Sequence, residues 1–261
     1  MAIASNDNYI ASVKQYITWF KTASRTAVAA IPFTNFDQAG VPGAGTLAVG
    51  NTANGIVPTD TLAGYPLINT ISGTGYLGKI DFGWTVVGRL HLYDCLFSAG
   101  AYTFNADVTL TSQPSFAGRV PGGNYNGLEL WLEAVTAFTG SQTCQINYLD
   151  QGGAAGDTGA IATAVAPIIG RKFRMPLAAG DSGISQLVRV RSSVSTVGTF
   201  NVHIMRPLWT GRVIVANGGD TRDYLSTGLK QIYDTSALRV IVQPDSTATA
   251  LPQLYIQVCD G

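Results

Sequence analysis

LELWLEAVTAFTGSQTCQINYLD (128–150) and LRVIVQPDSTATALPQLYIQVCD (238–260) align without a gap, and these two stretches decide the fold. Leu128, Leu130 and Leu132 match Leu238, Val240 and Val242, while Cys144, Ile146 and Tyr148 match Leu254, Ile256 and Val258. Apolar residues at every second position mark strands with one buried face. Identities are sparse: Leu128/Leu238, Thr139/Thr249, Ile146/Ile256 and Asp150/Asp260. The signal is therefore the shared alternation and the equal spacing of the strands. About 40 residues upstream in each copy, GRLHLYDCLF (88–97) matches FNVHIMRPLW (200–209), placing His91 and His203 at equivalent positions.

Two blocks repeated in the same order predict a tandem duplication. Each pair of strands reads as a hairpin, and each copy has the size of a β-sandwich domain. The expected fold is all-β: two tandem β-sandwich, jelly-roll-like units, over residues 31–151 and 152–261. Gly152-Gly153-Ala154-Ala155-Gly156 reads as the seam between them. Further alternation runs through Tyr102, Phe104, Ala106, Val108 and Leu110, and through Val188 and Val190.

Ahead of the sandwiches, residues 1–30 read as a helix. Asn6 or Asp7 caps it, and Ile10, Val13, Ile17 and Phe20 recur at spacings of three and four, with Tyr16 and Trp19 widening the apolar face. That face has two uses, packing on its own β domain or docking on a partner. Ile10, Val13, Tyr16, Ile17, Trp19 and Phe20 are the candidate partner-binding residues. Residues 31–75 carry few charges and no helical period, and read as an extended arm draped over its own domain or a neighbour's.

Composition bounds the function. Charged residues make up 12% of the chain, about half the usual share of roughly 25%, and 46% are hydrophobic. A surface this poor in charge suits a protein that works assembled with others. The formal net charge of +0 gives no support to nucleic-acid binding. Residues 1–150 are net acidic and residues 151–261 net basic, an asymmetry that favours head-to-tail contact if it is more than scatter. Cys95, Cys144 and Cys259 are odd in number, lack metal-ligand spacing, and read as reduced, buried residues of a protein made in a cytosol. No signal-peptide pattern opens the chain and no apolar run is long enough to span a membrane, so neither export nor membrane contact is expected.

Catalytic motifs find no supporting set. Gly180-Asp181-Ser182-Gly183 has the nucleophile pattern of trypsin-like proteases, but Leu90 and Leu92 around His91 do not fit that family's histidine, and the motif reads as a turn. Gly73-Thr74-Gly75-Tyr76-Leu77-Gly78 opens a strand rather than joining a strand to a helix, which makes it a turn rather than a phosphate loop. The two histidines read as structural. Glu129 and Glu133 share a strand face with Trp131 and read as a solvated face rather than a glycosidase pair. No catalytic residue, metal site or cofactor is expected, and the chain reads as a non-enzyme.

The N-terminal segment, TLAVGNTANGIVPTDTLAGYP (46–66), RLHLYDCLFSAGAYTF (89–104) and MPLAAGDSGI (175–184) resemble virion structural proteins of tailed bacteriophages and prophages, most closely capsid decoration (cement) proteins. The resemblance implies a β-sandwich protein, made in the bacterial cytoplasm, bound outside a phage capsid and bridging its subunits. The implied partners are the major capsid protein and further copies of the chain, with a trimer favoured. It carries no site residues with it. The competing expectation is a tail- or fibre-associated module binding host glycans through exposed aromatics, with Trp131, Tyr125 and Asn126 as candidates.

Overall fold

A computed structural model describes residues 3–23, 25–163, 167–193 and 197–261. The chain is all-β, as its alternation predicts, with antiparallel sheets and only short helices. Nine strands carry the architecture: β1 (Val13–Lys21), β2 (Gly75–Trp84), β3 (Gly88–Thr103), β4 (Glu129–Ala134), β5 (Thr143–Asp150), β6 (Ile184–Ser192), β7 (Thr199–Val213), β8 (Leu238–Pro244) and β9 (Pro252–Asp260).

The duplication is visible in the pairing. β3 lies against β8 with Leu90 opposite Val242, and β7 lies against β4 with Val202 opposite Leu132. Because Leu90 corresponds to Val202 and Leu132 to Val242, the two ladders are the same ladder with the copies exchanged. β2–β9 and β6–β5 obey the same rule: Ile80 faces Ile256, and Val190 faces Ile146. Even the irregularities correspond. The ladders are interrupted between the pairs of Leu77 and Lys79 and between those of Leu187 and Arg189, leaving Gly78 and Val188 bulged at equivalent places.

This exchange corrects two expectations. The strand pairs read as hairpins are not paired with each other: β4 and β5, like β8 and β9, lie in different sheets. Nor are the compact units consecutive. One comprises residues 1–45, 59–94 and 208–261, the other residues 46–58 and 95–207. Each draws strands from both copies, and the long strands β3 and β7 contribute to both. Residues 152–156 are no seam. They belong to a tight turn inside the second unit, where Ala155–Asp157 folds back antiparallel on β5. The charge asymmetry dissolves too, since the first unit holds nine basic and ten acidic residues and the second seven and six.

The N-terminal reading also changes. A helix covers only Asn6–Ala11, capped by the Ser5 side chain, which accepts from the Asn8 amide. Val13–Lys21 is a strand, paired along its length with β9 from Val13 opposite Asp260 to Phe20 opposite Gln253. Val, Ile and Thr are stiff at χ1 and, with Tyr, Trp and Phe, favour a pleated surface. The segment has apolar residues on both faces, and this imitates a helical spacing. In the first unit the main sheet runs Gly218–Arg222, β2, β9, β1, Gly40–Val41. Ile17, Trp19 and Lys21 point inward from β1 and are buried.

In the second unit, two sheets close over one core. Leu96, Phe97 and Tyr102 of β3, Leu130 and Leu132 of β4 and Val202 and Ile204 of β7 meet Cys144, Ile146 and Tyr148 of β5 and Leu187 and Val190 of β6. The alternation from Tyr102 to Leu110 is interrupted, with β3 ending at Thr103, Asn105 at φ 64° and a separate short strand over Asp107–Thr109. Residues 46–58 of the arm lie on this unit. Ile56 and Asn51 sit opposite Ser98 and Gly100, and the Tyr102 hydroxyl donates to the Thr52 carbonyl at 2.8 Å. Gly55 turns the arm at φ +67° directly against the Phe97 ring. Gly55→Ala combines left-handed strain with a methyl driven into that ring, and should cost about 2 kcal/mol or more in a denaturation experiment. A loss below about 0.5 kcal/mol would mean that the arm does not hold this position.

Candidate functional site

Alternation places Glu129, Trp131 and Glu133 on the face of β4 opposite the core leucines. That face is not solvated: Trp131 is 5% exposed and Glu133 0%. The arm covers it, and register builds a polar cluster beneath. Glu133 lies between Lys172, on the strand Lys172–Met175, and Asn201 on β7. The Lys172 ammonium is 2.8 Å from Glu133 Oε1. Asn201 Nδ2 donates to Glu133 Oε2 at 3.2 Å and to the Leu47 carbonyl of the arm at 2.5 Å. His203, two residues along β7 and therefore on the same face, sets Nε2 3.0 Å from Glu133 Oε2 and Nδ1 2.7 Å from Ser98 Oγ. With the carboxylate accepting from Nε2–H, a neutral imidazole leaves Nδ1 to accept the Ser98 hydroxyl. Cys95 Sγ lies 3.3 Å from Ser98 Oγ. Arg119 caps the cluster, donating to the Pro58 carbonyl of the arm at 2.7 Å and to the Cys95 carbonyl at 2.5 Å.

Serine, histidine and acid in line are the elements of a nucleophile–base–orienter set. Their setting differs from that of a working one. Ser98 is 2% exposed and His203 1%, and the acid is neutralised by a buried lysine. Chemistry on a substrate needs the hydroxyl at a surface. What this arrangement does is satisfy charges that the arm buries, tying four strands and the arm into one network.

Ser98, Glu133, Lys172 and Asn201 were not singled out as a cluster by the sequence, although the repeat pointed to His203. In the first unit His91 Nδ1 lies 2.9 Å from Thr210 Oγ1, and Thr210 is the repeat equivalent of Ser98. The hydroxyl–imidazole pair is thus present twice. The acid is not, because Gln243 stands where the other copy has Glu133.

The remaining candidates separate. Ser182 of the GDSG turn donates to Asn126 Oδ1, and Asp181 accepts from the Tyr148 hydroxyl at 2.6 Å. That bond and burial push the Tyr148 phenol up to about 12, burial being the larger cause. Among the glycan-contact candidates, Trp131 is buried and donates to Glu129, while Asn126 is exposed. The cysteines are all free and buried, and burial raises the Cys144 thiol to about 12.

The six N-terminal candidates form no single face. Ile17 and Trp19 belong to the core and Phe20 is half-buried, whereas Ile10 and Val13 are each 72% exposed and Tyr16 55%. Of the exposed three, Tyr16 sits in a linked aromatic surface on the outer face of the first unit's main sheet, whereas Val13, opposite Asp260 at the end of β1, has the parity of the inward-facing Ile17 and Trp19. The Tyr9 ring stacks on Tyr224 at 4.2 Å, and its hydroxyl donates to Gln257 Oε1 at 2.5 Å. Gln257 Nε2 donates to the Tyr16 hydroxyl at 2.9 Å, and Tyr16 stacks on Tyr255 at 5.5 Å. Exposed Leu225 adjoins Tyr224 in sequence and extends the apolar character.

No family model matches the chain, and no curated protein does. Among solved structures, the chain has a likeness to infectious bursal disease virus, Gx strain, at 8% identity and a TM-score of 0.20, over 95% of this chain and 81% of that one. T=1 particles derived from infectious bursal virus give 7% identity and a TM-score of 0.19, over 95% and 78%. At such scores neither the fold nor the role of those proteins transfers to this chain.

Proposed function

We propose that this chain is a structural component of a virion, non-catalytic, bound to the outside of a phage capsid and bridging its subunits as a homo-oligomer. The observation that carries the reading is the number of exposed apolar and aromatic side chains that the first unit leaves at its surface, Ile10, Val13, Tyr16, Tyr255 and Leu225 among them, on a chain with few charges. Water-exposed aliphatic side chains and stacked tyrosines are what a partner surface desolvates. The resemblance of residues 46–66, 89–104 and 175–184 to phage virion proteins supplies the kind of partner, the major capsid protein. Many equivalent contacts on a lattice then add through multivalency, so each needs only modest affinity.

The test is sedimentation of the full chain alone and with undecorated shells, beside the variant Ile10→Asp/Val13→Asp. Removing residues 1–30 would be uninformative, because it takes away β1 and uncovers the core. The expected result is an oligomer that co-sediments with shells and a variant that stays folded and remains in the supernatant. Failure of the parent chain to associate with shells, or undiminished association of the variant, would overturn this assignment.

A further inference from the structure

The outer face of the first unit's main sheet carries a groove of about 680 Å³ built from two cross-strand rows. One row reads Thr18, Tyr255, Asp81, Thr221 and the other Phe20, Gln253, Gly83, Gly219, each crossing the same four strands in register. Paired glycines remove the side chains that would fill the second row. A Cβ on Gly219 would crowd the Phe82 carbonyl at 2.6 Å, so the depression is held open by backbone packing. Tyr255 stands beside it, 45% exposed, with its ring fixed by the stack on Tyr16.

The polar groups around the groove are of a restricted kind. Asp81 accepts from the Thr221 hydroxyl at 2.6 Å and from Lys79 at 2.9 Å, and Asp220 is paired with Arg222 at 2.5 Å. Partial burial pushes the Asp81 carboxyl up, but the bonds from Thr221 and Lys79 outweigh it and hold it below the usual carboxylate range. Each acid is matched by a base outside the groove, and among the described residues no base lines the groove itself. What faces a ligand is therefore a carboxylate, an amide and hydroxyls with little net charge, beside a rigid aromatic ring.

From this geometry we infer that the groove is a binding site for a neutral hexopyranoside. A pyranose ring has an apolar C–H face that packs on an aromatic ring and a rim of hydroxyls that both donate and accept, which is the complement of Tyr255 beside Asp81, Gln253 and Thr18. A phosphate or an acidic sugar would meet carboxylates without a lining cation. The site is not duplicated. In the other unit the equivalents of Tyr255 and Asp81 are Gln145 and Arg191, so the ring is missing there and the acid present, Asp157, is taken up by Gln145 and Arg191. The groove shares Tyr255 with the surface proposed for capsid contact, and titrating the free chain without shells tests the two readings separately.

The test is amide-shift NMR of the full chain titrated with the methyl pyranosides of glucose, galactose and mannose, with methyl glucuronide as the charged control. Millimolar binding by at least one neutral glycoside is expected, with shifts at Gly83, Gly219 and Gln253. Tyr255→Ala should weaken it by about tenfold or more, and Gln145→Ala should leave it unchanged. The assignment is overturned if no neutral glycoside moves those amides, if the glucuronide binds as tightly, or if Tyr255→Ala binds like the parent with its other amide shifts preserved.

Discussion

Glu133→Ala is expected to cost the second unit about 3–5 kcal/mol, a large share of a stability of roughly 5–15 kcal/mol for an ordinary domain. The carboxylate is the common acceptor for Lys172, Asn201 and His203, all buried. Its removal leaves the lysine charge facing a void in a place water does not reach. The desolvation of that ammonium has already been suffered on folding, and the carboxylate 2.8 Å away offsets it. A buried ion pair is not, however, the strongest way to fill such a space. Glu133→Leu combined with Lys172→Met should therefore be far less damaging than Glu133→Ala alone, because no charge is stranded. Denaturant unfolding followed by the fluorescence of Trp131, which shares this face of β4, reads both variants. Should Glu133→Ala lie within about 0.5 kcal/mol of the parent, the cluster would not be holding the arm to the sheet.

The second large effect separates a strand from a helix at the N-terminus. Trp19→Ala removes a side chain 1% exposed from the core side of β1 and should cost about 3–5 kcal/mol. Ile10→Asp and Val13→Asp, both at solvent-exposed positions, should each change stability by about 0.5 kcal/mol or less. A helix packed through Ile10, Val13, Ile17 and Phe20 would give a different pattern, with Ile10 and Val13 as sensitive as Ile17. Thermal or denaturant midpoints of the three variants decide between them. Equal losses across Ile10, Val13 and Trp19 would return this segment to a helix.

Much of the architecture was legible in the sequence, and the reason is local. A strand with one face in a core must alternate, so β3, β4, β5 and β7 to β9 announce themselves in 88–97, 128–150, 200–209 and 238–260. The repeat was legible because alternation and spacing survive after identity is lost, and the structure keeps both in the exchanged ladders. Partner choice was not legible. Leu132 has the same pattern whether it pairs with the next strand in its own copy or with Val202 of the other, because register is decided by the energy of the whole sheet.

The site shows the same division. Alternation placed Glu129, Trp131 and Glu133 on one face correctly, but whether a polar face meets water depends on what lies over it. Here it is a stretch of arm 71 or more residues earlier in the chain, Leu47 to Pro58, whose carbonyls accept from Asn201 and Arg119. The N-terminal stripe misled for the opposite reason. A β1 strand with apolar residues on both faces satisfies a spacing of three and four as well as a spacing of two, and only pairing with β9 selects between them. By itself the sequence determined that the chain is all-β, twofold repeated and poor in charge, since those properties are carried by residue type and period. The tertiary structure alone decided which strands pair, which polar face is buried and which apolar residues stay at the surface, because each depends on contacts between residues far apart in the chain.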